Sequence, residues 1–265
     1  MSQSADQGAP VKVEGKGPLT ILTLDRPPHN LVEYSLLQGI MDGLSGAVER
    51  GARAVLLKSA LRNFSAGADL AMFMQPTGDT GERPKGPSVT EFLEAVESTP
   101  IPIVTAIHGV CLGGGLEIAL TTDYIIAARS SRIGSVEVTL GLAPIMGGVQ
   151  RQVERIGLVR AKEMSMLGRR YDPETLAAWG LINAVVDDDK LEGAALAIAE
   201  EFANGPTVST GSTKALARLA ANEGIAAADA AMAELQKPIW KSDDLKTGLD
   251  SFMKRGPGQA RFAGR

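Results

Sequence analysis

Two carboxylates stand where carboxylates are costly. Glu117 is embedded in Gly113-Gly114-Gly115-Leu116-Glu117-Ile118-Ala119-Leu120, and Glu137 lies between Val136 and Val138. Burial among apolar groups raises a carboxyl pKa, and an uncompensated buried charge is expensive, so such groups are paired or used. Two of them can hold a water, one removing its proton while the other donates one. Each also neighbours a glycine-containing loop. Glycine lets the backbone approach a ligand closely, and the first N–H groups of a helix lack partners within it. An oxygen that turns negative during a reaction would sit well on the Gly114 N–H. The chemistry this describes is addition of water across a double bond polarised by a carbonyl. A tight strand-to-helix turn with Glu117 on a wet face is the other reading of this stretch.

Other chemistries find little support. Two histidines, His29 and His108, and one cysteine, Cys111, give no zinc-site spacing, so no metal is expected. No G-x-S-x-G elbow is present, and His108 is expected to be a structural residue at a strand end. Gly113 and Gly115 match the first two positions of the dinucleotide fingerprint, but Ile118 occupies the third. A net charge of −4 gives no hint of nucleic acid or an anionic membrane surface as partner. One cysteine rules out an internal disulfide and fits a reducing compartment. The first ten residues lack Lys, Arg and an apolar core, so they read as no signal or transit peptide. The expected location is the cytoplasm.

The elements that must position these groups follow from apolar periodicity. At 265 residues the chain suits one large α/β domain, or one with a helical appendage. Val11 to Asp25 reads as a hairpin turning at Gly15-Lys16-Gly17-Pro18, and Arg26-Pro27-Pro28-His29-Asn30 as a loop. Leu36, Leu37, Ile40, Met41, Leu44 and Val48 follow helical spacing over Tyr34 to Arg50, with Gly51 as the stop. Ala54-Val55-Leu56-Leu57 is a continuous apolar run of the kind buried on both faces of a sheet. Then Phe64-Ser65-Ala66-Gly67-Ala68-Asp69-Leu70 leads through small residues into a short apolar helix with Met72 and Phe73. This is a second strand–loop–helix unit, and two backbone donors could converge on one site. Gln75 to Ser88 reads as a mobile surface loop and Val89 to Ser98 as a helix.

Strands are expected at Ile103 to Ile107, Asp123 to Ala128, Arg132 to Gly134 and Leu181 to Val186. Helices are expected at Arg151 to Ile156, at Arg160 to Leu167, and from Pro173 to Trp179. From Asp189 onward Ala, Leu and Glu dominate, with breaks at Gly205-Pro206, Gly224 and Pro238. The pattern gives an α/β core over residues 11–200, a helical region over 201–255, and flexible tails at 1–10 and 256–265.

Four motifs in order, Ser65-Ala66-Gly67-Ala68-Asp69-Leu70, Ile107-His108-Gly109-Val110-Cys111-Leu112-Gly113-Gly114-Gly115-Leu116-Glu117-Ile118-Ala119, Glu137-Val138-Thr139-Leu140-Gly141-Leu142-Ala143-Pro144 and Gly147-Gly148-Val149-Gln150-Arg151, resemble the crotonase superfamily, the enoyl-CoA hydratase/isomerases. The resemblance runs from about Leu19 to about Phe252. It implies a ββα superhelix core with a C-terminal helical layer that builds a homotrimer or homohexamer. It implies that the N–H groups of Ala68 and Gly114 form an oxyanion hole for an acyl-CoA thioester, and that Ala66, Ala68, Asp69 and Leu70 contact the CoA. Glu117 and Glu137 match the positions that hold and activate water in the hydratases. Coenzyme A is then part of the substrate and no separate cofactor is implied. His29 stands where a CoA-contacting basic residue is found, and the double-proline loop is closer to relatives acting on cyclic dienoyl-CoA. Asp69 reads as a loop-fixing residue. The expected activity is syn-addition of water to a 2-enoyl-CoA. A double-bond isomerase, a cyclic dienoyl-CoA hydratase and a non-catalytic acyl-CoA-binding protein are the alternatives.

Overall fold

The structure, a computed structural model, describes residues 8–71 and 86–265. The expectations placed on Met1 to Gln7, on Met72 and Phe73, and on most of the loop from Gln75 to Ser88 lie outside the described residues. Strands β1 (Val11–Lys16) and β2 (Leu19–Leu24) form the expected antiparallel hairpin, followed by helix α1 (Tyr34–Glu49) and β3 (Ala54–Ser59). Helix α2 (Val89–Glu97) leads to β4 (Ile103–Ile107), β5 (Val110–Leu112) and helix α3 (Gly114–Leu120). Strands β6 (Tyr124–Ala128) and β7 (Arg132–Gly134) precede a 3-10 turn (Glu137–Leu140), helix α4 (Gly148–Leu167), helix α5 (Pro173–Trp179) and β8 (Ala184–Val186). Helices α6 (Leu191–Asn204), α7 (Thr207–Glu223), α8 (Ile225–Lys241) and α9 (Asp243–Arg255) complete the chain.

The main sheet has the order β1-β2-β3-β4-β6-β8, and every pairing after the hairpin is parallel. A sheet of this kind is covered on both faces, which is why its central strands are apolar throughout. Alternation sorts the side chains. Val55 and Leu57 of β3 pack with Leu36 and Ile40 of α1, Phe92 of α2 and Leu116 of α3. Ala54 and Leu56 point the other way, against Leu191, Ala195, Ala199 and Ala203 of α6. The i, i+4 spacing of those four residues places them on one stripe of the helix.

Several expectations need correction. The boundary drawn at residue 200 falls inside α6, whose Ala203 still belongs to the sheet's core. Strand β8 begins at Ala184 instead of Leu181, because Leu181 and Ile182 turn inward to the core. Pro238 does not break the last third. It sits within α8, which runs on to Lys241. A missing N–H removes only one hydrogen bond so close to a helix end. The helices expected at Arg151 to Ile156 and at Arg160 to Leu167 are both present, as the two arms of α4 on either side of a break at Gly157, where φ is 73° and ψ 166°. Residues 256–265 are not a free tail. Asp244 accepts hydrogen bonds from the Ala263 and Gly264 N–H groups, and Arg53 donates to the Phe262 carbonyl at 3.0 Å. Among the described residues no helix is long and apolar enough to cross a membrane.

Strand β5 has no counterpart in the sequence analysis, and it organises the site. Gly109 (φ 61°) turns the chain after β4, where a Cβ would meet the Arg62 carbonyl oxygen at 2.3 Å. The three residues Val110–Leu112 then pair with β7 on one side and, through Ser65, with the small-residue loop on the other. The Ser65 N–H donates to the Val110 carbonyl and the Leu112 N–H to the Ser65 carbonyl. Two segments far apart in sequence are thereby stitched edge to edge.

Candidate active site

Each glycine of the Gly113-Gly114-Gly115 triplet does something different. Gly113 takes φ 50° and ψ −125°, a combination open to glycine, and starts α3. A Cβ on it would stand 3.3 Å from Oε1 of Glu137. A Cβ on Gly114 would stand 3.4 Å from Val32 and 3.6 Å from the Ala68 nitrogen, so it would fill the space between the two segments. Gly115 lies against Ser65, where a Cβ would clash at 2.5 Å. That contact lets α3 press onto the loop carrying Ala68.

Val32 fixes the direction of the Ala68 N–H. The Val32 N–H donates to the Gly67 carbonyl, and its own carbonyl accepts from the Asp69 N–H. In such a strand-like bridge alternate N–H groups point to opposite sides, so that of Ala68 turns away from Val32. Among the described residues, no turn, loop or cap hydrogen bond uses the N–H of Ala68 or Gly114. Both residues line a cavity of about 640 Å³. Its walls include Leu31, Tyr34, Leu37, Leu140, Leu142 and Ile145, and its only carboxylates among the described residues are Asp69, Glu117 and Glu137.

Glu117 is 2% exposed, so the wet-face reading fails. Its Oε1 accepts hydrogen bonds from the Met146 N–H at 2.7 Å and the Gly148 N–H at 2.9 Å. Burial pushes its pKa up to about 7. The Gly148 and Met146 N–H groups and the Arg151 charge act in the opposite direction, while neighbouring Glu137 adds to the rise. Glu137 opens the 3-10 turn. Neither of its buried carboxylate oxygens has a hydrogen-bond partner among the described residues, and burial raises its pKa too. An unpartnered carboxylate of this kind is a group oriented toward something other than the protein. Two carboxyls whose proton affinity is raised by burial, facing one cavity, can act as a proton donor and a proton acceptor.

The sequence profile of the enoyl-CoA hydratase/isomerase family matches residues 14–263. The chain belongs to this family. A probable enoyl-CoA hydratase of Rhodobacter capsulatus is 30% identical over 250 residues, covering 93% of this chain and 95% of the relative. A probable enoyl-CoA hydratase of Bacillus subtilis is 28% identical over 241 residues, covering 89% of this chain and 93% of the relative. The solved enoyl-CoA hydratase of Bacillus anthracis superposes with a TM-score of 0.86 at 28% identity, covering 97% of this chain and all (100%) of that one. The fold is thus the crotonase-like α/β fold with its C-terminal helical layer, as the four motifs implied.

Against this family background the structure brings together Ala66, Ala68, Asp69, Leu70, Gly114, Glu117 and Glu137, all of which line the one cavity. His29 is not among the lining residues. It is exposed, its Nδ1 lies 3.4 Å from the Asn63 amide, and its carbonyl accepts from the Ala66 N–H at 3.0 Å. In this structure it supports the loop through its backbone. Asp69 fixes the loop as expected: Oδ1 accepts from the Ala71 N–H at 3.0 Å, and Oδ2 pairs with Arg26 at 3.2 Å. Arg26 is also held by Glu33 at 2.6 Å. His108 Nε2 donates to the Leu61 carbonyl at 2.6 Å, as a structural strand-end residue would. The sequence analysis missed Met146 and Gly148 as partners of Glu117. The Gly147-Gly148 pair was the available signal, since a Cβ on Gly148 would stand 3.0 Å from Oε1.

Proposed function

We propose that the chain is an enoyl-CoA hydratase, adding water in syn fashion to a 2-enoyl-CoA thioester to give a 3-hydroxyacyl-CoA. The observation that carries this reading is a pair of carboxylates, that of buried Glu117 and that of half-buried Glu137 with both oxygens covered, in the cavity lined by Ala68 and Gly114. The thioester carbonyl oxygen rests on the two backbone N–H groups. One carboxylate takes a proton from water as the water oxygen bonds to C3, and the π electrons move onto the thioester oxygen. The other, protonated at the outset, delivers its proton to C2 as the enolate collapses. The pair begins and ends with one shared proton, and its two ionisations belong to the pair.

A double-bond isomerase needs one working carboxylate, and the presence of two in this cavity supports hydration. Ala66, Ala68, Asp69 and Leu70 would carry the CoA, with His29 at the loop's outer edge. No separate cofactor enters the reaction, since coenzyme A arrives as part of the substrate. The chain would work in the cytoplasm as a homotrimer or homohexamer. Large apolar side chains on α8 and α9, among them Trp240 at 73% and Met253 at 83% exposure, support an interface between copies there.

The test is loss of the 2-enoyl-thioester absorbance with crotonyl-CoA and a longer enoyl-CoA, and 3-hydroxyacyl-CoA confirmed by mass. Tight acyl-CoA binding without loss would move the assignment to isomerisation or a cyclic dienoyl-CoA. Neither turnover nor binding would leave a non-enzyme.

A further inference from the structure

One peptide unit joins Glu117 to a cation outside the cavity. The Gly148 N–H donates to Glu117 Oε1 at 2.9 Å, and the carbonyl of the same peptide, on Gly147, accepts from Arg151 Nη1 at 3.0 Å. The Arg151 backbone N–H also reaches that carbonyl, at 3.3 Å. A hydrogen bond accepted at one end of an amide strengthens the one donated at the other, and a cationic donor does so most. The guanidinium lies directly over Gly147, which has φ 82°. A Cβ there would stand 2.2 Å from Nη1.

Arg151 is itself held. Its Nε donates to Glu97 Oε1 on α2 at 2.7 Å, and Nη2 reaches the same oxygen. The side chain is 13% exposed and its partner 23%. From α7, Arg218 approaches Glu97 at 3.9 Å and pairs with Glu94. Among the described residues the charged groups facing Glu117 are Glu137 from the 3-10 turn and Arg151 from α4. Those around Arg151 are Glu97 of α2, Arg155 of its own helix and, across Glu97, Arg218.

We propose that Arg151, latched by Glu97, is a positioning residue that clamps the Gly147–Gly148 peptide and through it sets the orientation and proton affinity of Glu117. It touches no substrate. This rests on the reading of Glu117 as a catalytic carboxylate, so the test needs a readout that does not depend on turnover.

That readout is an infrared pH titration of the carboxyl band that disappears in Glu117→Gln, taken on the full chain and on Arg151→Gln and Arg151→Lys. Removing the cation in Arg151→Gln should move the Glu117 midpoint up by roughly one unit. Arg151→Lys keeps a cation and should bring the midpoint most of the way back. With crotonyl-CoA, Arg151→Gln should lose on the order of tenfold in kcat at unchanged KM, the loss expected for one charge-assisted hydrogen bond. Unchanged midpoints, or equal losses in the Gln and Lys variants, would overturn the clamp. Should Arg151→Gln not fold, Arg151→Met, which keeps the unbranched stem, replaces it with the same expectation. A shifted midpoint in a protein that hydrates no enoyl-CoA would leave the clamp standing and remove the hydratase reading instead.

Discussion

Gly148 lies flat against Glu117: a Cβ on it would stand 2.9 Å from the glutamate's Cγ and 3.0 Å from its Oε1. The absence of a side chain at 148 is therefore a condition for the carboxylate's position. Gly148→Ala should push Glu117 off the Met146 and Gly148 N–H groups and lower kcat by about a hundredfold, the scale of losing a well-placed acid or base. Steady-state kinetics alongside a melting curve would check this. A folded variant with full activity would show that the position is not needed.

Glu117→Gln and Glu137→Gln should each lower kcat for hydration by about a hundredfold or more, with little change in acyl-CoA affinity. Each amide keeps the shape and removes the proton transfer. Full activity in either variant would end the two-carboxylate mechanism.

The raised pKa of Glu117 is also a statement about stability. An acid that titrates at about 7 when folded, against an ordinary value of 4.5, binds its proton more tightly in the folded chain. Its contribution is fully present below pH 4.5 and is lost as pH rises through 7. At pH 8 ionised Glu117 should cost about 3 kcal/mol relative to a neutral isostere. Glu117→Gln, whose amide oxygen can still accept from both N–H groups, should thus melt higher than wild type at pH 8, with the gap closing toward pH 5. A gap independent of pH would contradict the assignment.

Gly114→Ala separates function from folding. Its backbone is ordinary helix, and the new methyl group would meet Val32 at 3.4 Å and the Ala68 nitrogen at 3.6 Å, both normal contacts. The melting temperature should hardly move. The methyl group would nevertheless occupy the space between the two N–H donors, and kcat should fall by roughly a hundredfold, as when an oxyanion donor is lost. Matching losses of stability and rate would point to simple misfolding.

Cys111 is fully buried on β5, and burial pushes its thiol well above the usual range. It should stay inert to an aromatic disulfide reagent at pH 8 and react only on denaturation. Rapid labelling of the native protein would mean that β5 opens readily.

Much of this was legible in the residues themselves. The continuous apolar run at Ala54 to Leu57 and the helical spacing from Leu36 to Val48 placed their elements within a residue or two, since burial on both faces of a strand, or along one side of a helix, leaves that imprint. Glu117 stood out because a carboxylate among Leu116, Ile118 and Ala119 has no cheap structural excuse. Its partners did not stand out. Met146 and Gly148 contribute backbone N–H groups, which every residue but proline has, and they arrive from a distant turn. Strand β5 is three residues long and is defined by its neighbours, β7 and Ser65, more than by its own composition. His29 has the residue type of a phosphate contact, yet only the folded loop shows its ring turned toward Asn63.

In the proposed reaction four main-chain N–H groups serve the chemistry, those of Ala68 and Gly114 at the cavity and those of Met146 and Gly148 on Glu117, while Leu140, Leu142, Ile145 and Met146 line the same cavity. On this proposal, chemistry falls to the backbone and selectivity to the side chains of the same segments. The side chains can be exchanged to reshape the space while the backbone that serves the reaction stays as it is. For an engineer this is a chassis: substrate range can be varied at positions 140, 142 and 145, with the proton machinery left in place.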